Sequence, residues 1–68
     1  MEAQKLRDKI ALLIEAKEST HRTIFSMFRN DGAKIIDRVI RTIKEKGISA
    51  GEAITAIDRD FDVNLQND

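Results

Sequence analysis

Apolar and polar positions alternate along this chain with a helical period from end to end. Near the N-terminus Ala3, Leu6, Ile10 and Leu13 recur at steps of three and four. Leu12, Ile14 and Ala16 widen that stripe, and Lys5, Arg7, Asp8, Lys9 and Glu15 fill the opposite side. This is the pattern of an amphipathic helix with one buried face. Past Leu13 the same steps land on Lys17 and Thr20 before they reach Ile24 and Met27. Two readings compete over residues 2–29: one long helix with a polar interval in its seam, or a helical hairpin in which Ser19 or Thr20 caps a second helix. The continuous helix is the preferred expectation, because no Gly, Pro, Asn or Asp lies between residues 9 and 29 to supply turn chemistry.

Asn30, Asp31 and Gly32 concentrate that chemistry, and both Asn and Gly tolerate the left-handed conformation that ends a helix. A break is expected there. A helix over 33–46 follows, with Ile35, Ile36, Val39, Ile40 and Ile43 on one stripe and Lys44 and Lys46 at the end where the helix dipole is negative. Gly47 suits a left-handed C-cap, and Ser49 with Glu52 three residues later matches a capping box. A last helix is expected over 50–61, carrying Ala53, Ile54, Ile57 and Phe61 on one face. Residues 62–68 read as a tail from which Val63 and Leu65 remain available to dock.

The elements add up to an all-α class: a small bundle of three to four helices in a single domain over 1–68, with a long N-terminal helix, a central helix and a short C-terminal one. Length then changes the picture. A chain of 68 residues and 7.7 kDa buries only about 60% of the surface its unfolded form exposes. Having no Cys, it has neither disulfides nor Cys-based zinc sites to staple it. Oligomerisation is the remaining device, and a homodimer pairing along Leu6, Ile10, Leu13, Ile24 and Met27 is expected, with Lys17 and Thr20 setting its register. A composition 41% hydrophobic and 35% charged fits a folded domain rather than a disordered one. The longest apolar run, over 10–14, is far short of a membrane span, and acidic residues with no long apolar stretch at the N-terminus argue against a secretory signal. The expected location is cytoplasmic, with no membrane partner.

Net charge is zero but unevenly spread. Eleven Lys and Arg against seven Asp and Glu leave +4 over residues 1–46, and one against five leaves −4 over residues 47–68. Such a split suits a basic binding surface moderated by an acidic segment, two subunits packed head to tail, or simply two solvated faces.

The candidate chemistry is sparse. Two helices joined by a short turn over 33–61 invite comparison with a DNA-binding helix-turn-helix. However, the usually small position four before the turn glycine is Ile43, the apolar position just before it is Lys46, and the would-be recognition helix carries Glu52, Asp58, Asp60 and Asp62 against Arg59. A basic face built from Arg22, Arg29, Lys34, Arg38, Arg41 and Lys44 is the better nucleic-acid candidate, although Asp37 and Glu45 interrupt it and no aromatic accompanies it to stack on bases. His21 is the only His and reads as a surface residue without an orienting partner. The three glycines are too scattered for a phosphate loop, and the alternating carboxylates 58, 60 and 62 lack the glycine and closing Glu of a calcium loop, reading instead as a solvated acidic end.

Ile24, Phe25, Met27 and Phe28 form the densest group of large apolar side chains, suited to a core, to self-association or to a partner groove. No cofactor and no metal site is expected, nor an enzyme. The leading expectation is a regulatory or adaptor protein that binds another protein, and itself, through Leu6, Ile10, Leu13, Ile24, Met27 and Phe28. The alternative is a transcriptional or replication regulator that contacts nucleic acid through its basic face.

Overall fold

The computed structural model describes the backbone of residues 2–67 and the side chains of residues 3–62. Three helices follow one another, α1 (Glu2–Ala16), α2 (Arg22–Lys46) and α3 (Ala50–Asn67), and the described residues contain no strand. Their apolar stripes converge on one cluster: Ile10 and Ile14 from α1, Ile24, Ile35 and Val39 from α2, and Ala53, Ile54 and Ile57 from α3. Leu6, Leu13, Phe25, Phe28, Ile48 and Phe61 are among the half-buried side chains packed around it. Isoleucine dominates, and its branched shape fills space between helices with little rotamer freedom to lose.

The expected long helix over 2–29 does not form. Residues 17–20 make a turn in which the Lys17 carbonyl accepts the N–H groups of Thr20 and His21 at 3.0 and 2.8 Å and the Thr20 hydroxyl at 3.1 Å. One carbonyl thereby closes the reversal without Gly, Pro or Asn. The physical reason lies in the core: a straight helix would hold Ile24 about 21 Å along its axis from Ile10, whereas the turn lets both reach zero exposure in the same cluster.

The break expected at residues 30–32 is present as a kink between two helical segments of α2. Helix α2 runs through it, with only Asp31 leaving helical geometry at φ −152° and ψ 72°. Gly32 is not left-handed, since Gly47 is the only residue with positive φ among those described. The role of Gly32 is one of space, because a Cβ there would sit 3.2 Å from the Phe28 ring. The next junction matches its expectation in the Gly47 C-cap and in one half of the Ser49–Glu52 capping box. Gly47 takes φ 64° and ψ 34° and donates its N–H to the Ile43 carbonyl at 2.8 Å. The Ser49 Oγ accepts the Glu52 N–H at 3.2 Å and donates to the Glu52 carboxylate at 3.1 Å. Helix α3 then continues to Asn67 rather than stopping at 61. The expected docking of Val63 and Leu65 lies outside the described side chains.

Candidate functional site

Ile10 and Ile24, expected in a dimer seam, are wholly buried inside one chain. Leu6, Leu13 and Phe28 are half-buried against the same cluster, and Met27 alone of the six stays exposed, at 38%. A seam along one continuous helix is therefore not what these residues build, because the turn at 17–20 directs them into an intramolecular core. Leu12, on the outer side of α1, is exposed at 67% and stands apart from them.

The basic residues are also divided. Arg22, Arg29, Lys34, Arg38, Arg41 and Lys44 are all exposed, but only Lys34, Arg38 and Arg41 line a common feature, an open groove of about 740 Å³ between α2 and α3. These three follow the i, i+4, i+7 spacing that keeps side chains on one helix face. The groove has an apolar base of Met27, Ile35, Ala56, Ile57 and Phe61. Its α2 wall carries Asp37, Thr42, Glu45 and Lys46 beside the three cations, and Asp60 stands on the α3 side. Several of these groups are already engaged. Lys34 lies 3.6 Å from the Asp31 carboxylate, and Arg7 of α1 reaches across to Asp37. The Arg38 guanidinium sits 4.9 Å from the centre of the Phe61 ring, a cation–π contact that joins the two walls. Arg29 stacks on Phe25 at 5.8 Å, away from the groove.

Within the acidic end Asp60 and Asp62 are exposed, as the solvated reading expects, and Asp58 departs from it. Asp58 is half-buried, and its carboxylate accepts the Ile24 N–H at 2.9 Å. Ile24 is the third residue of α2, so this is an N-cap delivered from another helix. It meets a need, because His21 at the cap position makes no side-chain capping bond and the first turn of α2 holds no acidic residue.

His21 is likewise structural. It is half-buried, with Nδ1 2.9 Å from the Thr20 hydroxyl and Nε2 3.2 Å from the Thr55 hydroxyl, while Thr55 itself donates to the Gly51 carbonyl at 3.0 Å. With the Thr20 bond to Lys17 there are four contacts around the ring. A neutral imidazole satisfies three of them in either tautomer, since one hydroxyl proton has to turn toward the ring.

Smaller features complete the surface. A shallower cleft of about 610 Å³ lies by the start of α3, bordered by Lys17, Lys46, Ser49, Glu52 and Arg59. Among the described residues no cluster of His, Asp and Glu gathers as metal ligands would, and no helix is long and apolar enough to cross a membrane. Comparison of the chain with known protein families, with curated proteins and with solved structures finds no match.

Proposed function

We propose that this chain is a small non-enzymatic regulatory or adaptor module that acts by helix-mediated protein–protein interaction, with the groove between α2 and α3 as its docking face. The observation that carries this reading is the groove's make-up: an apolar base edged by charges of both signs, the layout of a protein interface with a polar rim. Exposed Met27 in its apolar lining is the kind of adaptable side chain that partner surfaces favour. The cationic face could instead be read as a nucleic-acid contact. Within the groove, though, its three members stand among Asp37, Glu45 and Asp60, which repel phosphates.

Capture from a cell lysate tests the reading. The wild-type chain and Ala56→Gln, a neutral change that narrows the groove, serve as baits with and without nuclease. A protein retained by the wild type, lost with Ala56→Gln and indifferent to nuclease supports docking in the groove. Equal recovery on both baits, or recovery that collapses with nuclease, overturns it.

A further inference from the structure

We infer that the groove between α2 and α3 is the face on which a second copy of this chain docks, across a two-fold axis running along the groove. This rests on the docking reading above and names its occupant. Of the groove's charged groups, Lys34 is held by Asp31, Asp37 by Arg7, and Arg38 lies on the Phe61 ring. Arg41 and Lys46, against Glu45 and Asp60, have no ion-pair partner among the described residues. Two cations and two anions thus edge one apolar base without internal compensation.

That balance selects the occupant. A phosphate backbone or an acidic helix would set like charge against Glu45 and Asp60, and a basic helix would do so against Arg41 and Lys46. A second copy brings the same two cations and two anions, and a two-fold axis is the operation that presents a surface to itself. The register agrees with this. The contact of Arg38 with Phe61 sets those two residues at one level of α2 and α3, so Arg41, three residues nearer the turn at 47–49, and Asp60 stand within about one helical turn of each other on opposite walls. A two-fold running along the groove exchanges its walls, so Arg41 of α2 faces the partner's α3 beside Asp60 and the pair occurs twice. The pairing would also cover Met27, which a single chain leaves 38% exposed. For a chain this short, added apolar burial is a substantial gain.

Sedimentation over a range of protein concentrations tests the inference, with circular dichroism to check that each variant is folded. Arg41 and Asp60 are both exposed, so reversing either charge leaves the core intact. The wild type is expected to show a monomer–dimer equilibrium. Arg41→Glu and Asp60→Arg should each weaken it by about tenfold or more. An equimolar mixture of the two variants should regain wild-type affinity, because each altered charge then meets its complement at both pairs. A wild type that stays monomeric, a dimer indifferent to both reversals, or a mixture that fails to recover overturns the two-fold pairing. If Asp60→Arg does not fold, Ala56→Gln supplies the reading, and an unweakened dimer there overturns the inference equally. A monomeric wild type would leave the docking reading to the capture experiment, whose outcome does not require a second copy.

Discussion

Asp58 shows how one side chain can join distant parts of a small fold. Its carboxylate holds the third amide of α2 from a position thirty-four residues further along the chain, so it both caps a helix and fastens α3 across the helix start. Two terms add: the hydrogen bond to an otherwise free amide, and the attraction of a negative charge to the positive end of α2. Asp58→Ala should therefore lower stability by about 1–2 kcal/mol, and Asp58→Asn, which keeps an acceptor without the charge, should lower it by less. Urea titration followed by circular dichroism reads both. Equal stability of the alanine variant and the wild type would show that the amide is satisfied elsewhere. His21 acts beside it in the same sense, fixing the turn at 17–20 against Thr55 of α3.

Among the elements, legibility in the sequence follows the range of the interaction. The junction between α2 and α3 was readable because Gly47, Ser49 and Glu52 act on neighbours within four residues. Gly47→Ala puts a Cβ on a left-handed residue at φ 64° and should lower the thermal midpoint, at a cost of about 1–2 kcal/mol. Space does not oppose the new methyl, since nothing lies within 4 Å of it, so a null result would mean that the backbone relaxes. The turn at 17–20 was readable only as the lesser of two alternatives, the helical hairpin, because its closure uses one backbone carbonyl and the contacts that fix it and the start of α2 come from Thr55 and Asp58. The kink at residues 30–32 was located correctly but for another cause: Asp31 departs from helix geometry while Gly32 makes room for Phe28. The candidate site divides likewise. Met27, Lys34, Arg38 and Arg41 stood out in the sequence, whereas Ala56 and Asp60 join them only because α3 packs beside α2.

For the molecule as a whole, charge and burial carry separate tasks. The opposite net charges of residues 1–46 and 47–68 have few internal consequences, since the ion pairs among the described residues are Arg7 with Asp37 and Lys34 with Asp31, both solvent-exposed. Such pairs contribute about 0–1 kcal/mol and are screened by salt. The core is different. Ile24 has no exposed surface and touches a cluster drawn from all three helices, so a carboxylate there has no compensating partner. A chain of this length has a total stability on the order of 5 kcal/mol. Ile24→Asp should exceed that margin and abolish the cooperative unfolding transition, with loss of helical circular dichroism. The double change Arg38→Glu and Arg41→Glu removes the contact with Phe61, worth about 0.5–1 kcal/mol. It should keep the helical signal and move the midpoint by only a few degrees, about 4–8 °C per kcal/mol for a domain this size. A folded, cooperative Ile24→Asp variant would show that the cluster is not what holds the helices together. An unfolded arginine variant would show instead that the cationic wall of the groove is part of the fold rather than a surface free for binding.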